Sequence, residues 1–351
     1  MPENNDMKFM RRCLDLASKA EGMTYPNPMV GAVIVHQGNI IGEGYHIKAG
    51  GPHAESRAVE SVRNKKLLEE STLYVNLEPC SHFGKTPPCA DMIVSWKIPK
   101  VVVGTIDTSA KVSGKGISRL RDAGCEVVTG VCEDECRRIN RRFLTFHEKK
   151  RPYITLKWAE SSDGFIDRER DEDYRIEPNW ITGRAERILV HKWRASEQAI
   201  LVGAGTVRAD DPRLNVREWK GSNPIRIILS GSGSLPDDPA VNRSIGSLIV
   251  FTFYPEKVVL PGSVIMKLNH REPAAKQISE ALHGWGIQSL FIEGGAQVLS
   301  HFIKTGYWDE ACVFTGTKAF KAGVKAPSVE GKTIMEKTFS NSTLKRLLNN
   351  K

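Results

Sequence analysis

The chain contains no apolar run near the ~20 residues that a membrane-crossing helix needs. Runs such as Val30–Val35 and Val101–Val103 fall far short of it, so no membrane partner is expected. The opening residues, MPENNDMKFMRR, have neither an apolar core nor a small-residue cleavage site, and a secretory signal is not expected. Aromatic residues are sparse, at 7%, and form no aromatic-basic ribbon of the kind that stacks a single nucleic-acid strand. A concentrated basic block is also missing. The net charge of +9 is spread evenly, with 22 Lys+Arg against 18 Asp+Glu in residues 1–150 and 28 against 23 in the rest. Nucleic acid is therefore not an expected partner, whereas a small phosphorylated substrate suits a mildly basic surface. The seven cysteines are odd in number, which argues against a disulfide framework. They point to a reducing, cytoplasmic location with free or metal-bound thiols.

The length, 351 residues, suits two domains. The first half alternates helical and apolar extended patterns. A helix is predicted over Asp6–Ala20. Strands at Val30–His36 and Ile40–Tyr45 are joined by the hairpin signal Gln37-Gly38-Asn39. Then come a helix after His53, a strand at Thr72–Leu77, a helix near Cys89–Trp96 and a strand at Lys100–Gly104. Gly114–Ala123, a strand at Cys125–Thr129 and one helix over Glu133–His147 complete an α/β layered domain. The charged run His147–Arg151, closed by Pro152, reads as the boundary. Beyond it strands are predicted at Tyr153–Trp158, Ala199–Val202, Ile225–Leu229, Leu248–Phe253 and Ser289–Ile292. Helices are predicted at Arg184–Trp193, Pro273–Trp285 and Ala296–Lys304.

The densest chemistry lies in Pro52-His53-Ala54-Glu55, followed by Pro79-Cys80 and Pro88-Cys89. His53, Cys80 and Cys89 offer one imidazole and two thiolates, the ligand count of a catalytic zinc that keeps its fourth position for water. Glu55 is placed to move protons to and from that water. A His-x-Glu followed by Pro-Cys and a second cysteine is the pattern of zinc deaminases acting on nucleobases. In a regular helix, residues two apart point about 200° away from each other. His53 and Glu55 can therefore share one site only at a helix entrance, which Pro52 favours. Pro79 and Pro87-Pro88 likewise predict that both thiolates stand at helix starts. The alternative is a structural zinc with a fourth protein ligand, for which His82 is the one candidate in the loop. Cys13, Cys125, Cys132, Cys136 and Cys312 read as small buried or half-buried residues.

The two cysteines are spaced Cys-x8-Cys, not the Cys-x2-Cys of most cytidine and adenosine deaminases. The loop Glu78-Pro79-Cys80-Ser81-His82-Phe83-Gly84-Lys85-Thr86-Pro87-Pro88-Cys89, with Pro26-Asn27-Pro28-Met29-Val30-Gly31 upstream, closely resembles the RibD family, the bifunctional deaminase–reductases of riboflavin biosynthesis. The resemblance covers nearly the whole chain. It implies a cytidine-deaminase-like domain over residues 1–147 and a dihydrofolate-reductase-like domain over residues 151–351. The first would hydrolyse the 2-amino group of 2,5-diamino-6-(5-phosphoribosylamino)pyrimidin-4(3H)-one with one Zn2+. The second would use NADPH to reduce the ribosyl chain, giving 5-amino-6-(5-phosphoribitylamino)uracil. A homo-oligomer is expected.

The same resemblance places deaminase substrate contacts at Asn27, His46, Lys85 and Asp107. On their own these read as a turn residue, two surface groups and a cap. After Asp107 the family usually continues Pro-Asn-Pro; this chain has Thr108-Ser109-Ala110 and keeps Gly114-Lys115-Gly116. In the second half, Lys157–Gly164, Trp180–Gly183, Leu201–Pro212 and Phe291–Ala296 carry the likeness. NADPH contacts are implied at Ala159, Trp180, Thr206 and Asp210, and along Gly294, Gly295, Ala296, Gln297, Val298, Leu299 and Ser300. Contacts to the sugar phosphate are implied at Arg194, Leu214, Arg217 and Glu293. Gly294-Gly295 before a helix suits a diphosphate, and the two guanidinium groups suit a phosphate. Gly203-x-Gly205 lacks the third glycine of a Rossmann fingerprint. Pro178 stands where the family commonly has serine, and Phe314-Thr315-Gly316-Thr317 replaces the family's Ala-Pro motif.

Overall fold

The computed structural model describes residues 5–81, 87–109, 114–170, 176, 179–244 and 246–350. Two compact units divide at 150/151. The expectations for Lys85, His82 and Pro178 lie outside the described residues. Among the described residues, no helix is long and apolar enough to cross a membrane.

In the first unit the elements run α1 (Asn5–Ser18), β1 (Gly31–His36), β2 (Asn39–Tyr45), α2 (Ala54–Ser61), β3 (Thr72–Leu77), α3 (Cys89–Ser95), β4 (Lys100–Thr105), α4 (Lys115–Asp122), β5 (Glu126–Thr129), α5 (Glu133–Ile139) and α6 (Arg141–Lys149). The sheet order is β2-β1-β3-β4-β5. β1 is antiparallel to both neighbours and β3, β4 and β5 are parallel. The central strands are buried on both faces and so read as continuous Val/Ile/Leu runs. On one face Ala54, Ala58 and Val59 of α2, Ala90 and Ile93 of α3 and Leu120 of α4 pack on Ile34, Val75 and Val101. On the other, Phe9, Met10, Cys13 and Leu16 of α1, together with Cys136, cover Val33, Tyr74 and Val102. The three-layer plan puts the C-terminal ends of the parallel strands, and the N-termini of α2 and α3, at one edge.

The single helix expected over Glu133–His147 is instead two, broken at Asn140. The cause is a long-range pairing. Asn140 is buried, its Oδ1 accepts from the Met29 N–H (2.8 Å), and its Nδ2 donates to the Met29 carbonyl (2.9 Å).

The second unit runs β6 (Tyr153–Glu160), β7 (Phe165–Arg168), α7 (Arg184–Ser196), β8 (Ala199–Gly203), α8 (Ala204–Asp210), β9 (Ile225–Ser230), α9 (Ala240–Arg243), β10 (Leu248–Thr252), β11 (Val264–Lys267), α10 (Ala274–Gly284), β12 (Ser289–Ile292), α11 (Ala296–Thr305), β13 (Glu310–Gly316), β14 (Gly323–Lys325), β15 (Lys332–Thr338) and β16 (Ser342–Leu348). One sheet has the order β11-β10-β9-β8-β12-β6-β13-β16-β15, and β7 pairs with β14. Its first seven strands are parallel; β16 and β15 are added antiparallel. Apolar cores cover both faces. Each fully buried Ile or Leu in them stabilises the unit by about 1.5–3 kcal/mol. The chain runs outward from β8 to β11, then returns to insert β12 between β8 and β6. That reversal opens a crevice at the carboxyl ends of the central strands, where ligands settle in open α/β sheets.

Candidate active sites

At the edge of the first unit, His53 is the N-cap of α2, with extended backbone (φ −73°, ψ 163°). The break from helical geometry at this position lets His53 and Glu55 face the same place, as the helix-entrance expectation requires. Cys89 opens α3. Cys80 does not open a helix: it lies on the loop after β3. Its sulfur is served by a neighbouring helix instead, since the Cys89 N–H donates to Cys80 Sγ at 3.3 Å. His53 Nδ1 lies 3.6 Å from Cys80 Sγ and 3.3 Å from Cys89 Sγ. All three ligand atoms lie within 4.8 Å of one another. Zinc–sulfur bonds of about 2.3 Å and a zinc–nitrogen bond of about 2.05 Å at a tetrahedral angle separate S from N by about 3.5 Å. The donor set and its spacing therefore fit zinc. Among the described residues no fourth His, Cys, Asp or Glu joins the group.

Electrostatics sort the thiols. The Cys89 hydrogen bond and the His53 imidazole hold the Cys80 thiol well below its ordinary range, against the opposing effect of burial. Cys89 is pushed up by its bond to Cys80 and by burial, with Glu55 adding to the effect. The Glu55 carboxylate thus stands close enough to a candidate ligand to act on it electrostatically. It is 3% exposed, and burial raises its pKa above the usual carboxylate range. A buried carboxyl beside a metal triad is placed both to take and to return a proton.

Asn27 and His46 meet beside this triad. The His46 ring contacts the His53 ring edge-on, with centroids 5.5 Å apart. His46 Nδ1 is 3.0 Å from the Pro52 carbonyl, so it carries the proton, and Nε2 accepts from Asn27 Nδ2 at 3.1 Å. Burial lowers the His46 pKa, consistent with a neutral ring. Asp107 is buried on the loop after β4, where Oδ1 accepts from the Ser109 N–H at 2.7 Å.

Glu78 carried no assignment from the sequence, yet it organises this loop. Its carboxylate accepts four backbone N–H groups: Asp107 (3.2 Å), Gly114 (2.9 Å), Gly116 (2.9 Å) and Ile117 (3.3 Å). Gly116 is needed here because a Cβ would stand 2.0 Å from the Pro79 carbonyl oxygen. The Glu78-Pro79-Cys80 turn is thereby locked to the start of α4 and to the Asp107 loop. The only signal in the sequence was an acid at the end of an apolar strand. In Glu78→Gln, an amide NH2 would face two of these N–H groups. Leaving a buried donor unsatisfied costs about 1–3 kcal/mol. Urea unfolding of the first unit is expected to show a loss of that size, with NADPH oxidation by the second unit unchanged.

In the second unit the crevice is a cavity of about 1070 Å³. Ala159, Thr206, Asp210 and Glu293 line it, as do Gly294, Gly295, Ala296, Gln297 and Val298. Gly294 and Gly295 take φ values of +149° and +85°, which a side chain would strain. They turn the chain from β12 into α11. Thr206 Oγ1 sits about 3.5 Å from where their Cβ atoms would be, which leaves a small-walled cradle. Asp210 pairs with Arg170 at 2.8 Å. Trp180 is half exposed. Leu299 and Leu214 are instead buried in the apolar cores, and Ser300 is not among the cavity-lining residues. Arg194 grips Glu293 through two bonds (2.5 and 2.7 Å). Lys157, unassigned from the sequence, lines the same cavity next to Glu293. Burial lowers its pKa. A lysine on a strand flanked on both sides was the available signal.

The two sites and the two folds define a zinc-dependent base deaminase followed by a reductase. Residues 3–105 match the family model of the cytidine and deoxycytidylate deaminase zinc-binding region, and residues 152–343 match that of the RibD C-terminal domain. The riboflavin biosynthesis protein RibD of Aquifex aeolicus is 40% identical over 94% of this chain and 92% of its own length. That of Bacillus amyloliquefaciens is 37% identical over 86% and 82%. A solved structure of a diaminohydroxyphosphoribosylaminopyrimidine deaminase/5-amino-6-(5-phosphoribosylamino)uracil reductase from Thermotoga maritima has a TM-score of 0.88 at 38% identity, covering 98% of this chain and 99% of that one. Acinetobacter baumannii RibD gives 0.87 at 33% identity, with 99% of each chain covered. The chain belongs to the RibD family. It is a bifunctional deaminase and reductase of riboflavin biosynthesis, with a cytidine-deaminase-like zinc-binding domain and a dihydrofolate-reductase-like domain of the NADPH-using type.

Proposed function

We propose that residues 1–147 hydrolyse the 2-amino group of 2,5-diamino-6-(5-phosphoribosylamino)pyrimidin-4(3H)-one, and that residues 151–351 reduce the ribosyl chain of the product to give 5-amino-6-(5-phosphoribitylamino)uracil. The observation that carries the first step is the buried Glu55 carboxylate at the entrance of α2, beside the cluster of His53, Cys80 and Cys89. A zinc ion, when bound there, lowers the pKa of water from 15.7 to about 7. Glu55 would take a proton from the attacking water and return it to the ring nitrogen, and a second transfer through Glu55 would let the amino group leave as ammonia. A C–O bond forms and the C2–N bond breaks. Asn27 presents its amide to the pyrimidine edge, oriented by His46. Lys85 serves the phosphate and Asp107 a hydroxyl or amino group.

NADPH, when bound, supplies a hydride to C1 of the opened sugar, and one proton completes the reduction. Thr206, Asp210 and the turn from Gly294 into α11 hold the cofactor, together with Ala159 and Trp180. Glu293, with Arg194 behind it, faces the sugar, as does Arg217. Leu214 and Leu299 act through packing and Ser300 through the α11 backbone. The protein works as a homo-oligomer in the cytoplasm on a small-molecule substrate. Mass analysis of products from the diaminopyrimidine, with and without NADPH, tests the reading. Ammonia with no NADPH oxidation would reduce the second unit to a passive role.

Two thiolates and a neutral imidazole bind zinc, so acid adds protons that compete with the metal. Zinc content after dialysis against a chelator is expected to fall from one per chain at neutral pH towards zero as the pH drops below about 5, given Cys80 and Cys89 as ligands. Deamination by demonstrably metal-free protein would contradict the assignment.

A further inference from the structure

Arg170 carried no assignment from the sequence, yet it closes one wall of the cavity in the second unit. It stands two residues past β7 and lines that cavity together with Asp167, Ala209 and Asp210. Its guanidinium reaches three acceptors. Nε donates to Asp167 Oδ2 (2.6 Å), Nη1 to the Ala209 carbonyl (2.7 Å) and Nη2 to Asp210 Oδ1 (2.8 Å). Ala209 lies in the last turn of α8, where carbonyls have no partner within the helix and a cation is favoured. The side chains of Arg170 and Asp210 are 16% and 31% exposed, so water screens the pair only in part.

The strand that carries this arginine depends on such ties. β7 and β14 have four and three residues, and two strands alone make a marginal structure. Before β7, Asp163 accepts the Phe320 and Lys321 N–H groups (3.0 and 2.7 Å). After it, Arg170 makes the tie to α8. Ile166, Asp167 and Val324 of this ribbon line the cavity. α8 also carries Thr206, which faces the Gly294–Gly295 turn. Asp210 accepts no other side-chain hydrogen bond from the described residues. Burial raises its pKa, and Arg170 opposes the rise and favours the carboxylate form. A carboxylate repels a diphosphate but accepts from a ribose hydroxyl or a carboxamide N–H.

We propose that Arg170 is a positioning residue of the cofactor site: by clamping Asp210 and the end of α8 to β7, it leaves one carboxylate oxygen of Asp210 held ready for a hydrogen-bond donor of NADPH. This rests on the reading of Asp210 as a cofactor contact. Arg170 acts through Asp210 and not on the cofactor itself, since its three kinds of N–H are already engaged within the protein.

Fluorescence titration of the full chain with NADPH, in the absence of substrate, reads the Kd apart from turnover. Asp210→Ala and Arg170→Met are each expected to raise it roughly tenfold, the order of one hydrogen bond to a charged group. The double variant should match Asp210→Ala within about twofold, because groups acting as one unit are not additive. Arg170→Lys should recover part of the loss. In steady-state NADPH oxidation, the KM for NADPH should rise more than kcat falls. Urea unfolding of the second unit shows whether Arg170→Met folds. If it does not, Asp167→Asn carries the test, since it loosens Arg170 from β7 without altering α8 and should raise the Kd in the same direction. A Kd unchanged in the folded variant of Arg170 or Asp167, or a double variant weakened by the product of the two single effects, would overturn the inference. If Asp210→Ala leaves the Kd unchanged, the reading of Asp210 as a cofactor contact fails and the inference goes with it. If Asp210→Ala weakens NADPH and Arg170→Met does not, the inference alone fails.

Discussion

Glu55→Gln is expected to reduce ammonia release by about 10²–10⁴-fold, the contribution of a positioned general acid–base group, while leaving zinc bound and NADPH oxidation by the second unit intact. The size follows from the geometry. Gln fills the same volume and can still donate, but it cannot take a proton from water and pass it on. The ligands are untouched, since none of His53, Cys80 and Cys89 is altered. Stability gives an independent readout. Burial raises the Glu55 pKa in the folded protein. For an acid the folded state then binds more protons than the unfolded state above the ordinary carboxylate pKa, and stability falls as pH rises through the shifted value. Wherever Glu55 is ionised in the metal-free protein it therefore opposes folding, and its amide should leave the melting temperature of the metal-free first unit unchanged or higher. Loss of activity with gain of stability is the mark of a group kept for chemistry. Undiminished ammonia release, or loss of zinc from the variant, would defeat the proposed role.

The clustering of His53, Cys80 and Cys89 was legible in the sequence because its chemistry is carried by residue type and by proline-marked turns. Pro52 predicted the helix entrance that aligns His53 with Glu55, and α2 begins there. The inner strands were legible for a related reason: β1, β3, β4, β8, β10 and β12 are buried on both faces and each carries three or more consecutive apolar residues. What escaped was set by contacts between distant positions. Asn140 breaks a helix because Met29 takes its whole side-chain amide. Cys80 sits on a loop because its sulfur is satisfied by the first N–H of α3. β15, Lys332–Thr338, is exposed over most of its length and shows no apolar run. β7 and β14 are short and need each other to exist. Glu78 looked like one more acid in a motif, since nothing local announces four N–H groups arriving from residues 107–117. Arg194 resembled a free phosphate ligand until its partner Glu293, 99 residues away, was placed against it.

That buried pair supports the second large effect. Arg194 and Glu293 are 12% and 6% exposed. Burial alone would raise the Glu293 pKa, but the charge and hydrogen bonds of Arg194, with Lys157 adding to them, bring it below its ordinary value. Removing one partner strands the other's charge, which costs about 3–5 kcal/mol. Glu293→Ala is expected to destabilise the second unit by that amount and to abolish NADPH oxidation. Deamination should persist, because the first unit has its own cores. The pH dependence has a definite sign. A carboxylate with a depressed folded pKa contributes stability that is complete above its unfolded value and is lost as pH falls through the folded one. The difference between native and Glu293→Ala proteins in urea should therefore shrink on acidification from about pH 5 downward, since in the unfolded chain Glu293 titrates as an ordinary carboxylate and in the folded one below that. A paired replacement separates structure from function. Arg194→Met with Glu293→Leu removes both charges and should restore most of the stability, since apolar groups of similar volume often replace a buried ion pair without loss. If Glu293 faces the opening sugar, that stable double variant will still not oxidise NADPH. Recovery of both stability and turnover would show that the pair only holds β12 against α7, and would move the chemistry of the reductase site to Lys157 and Asp210.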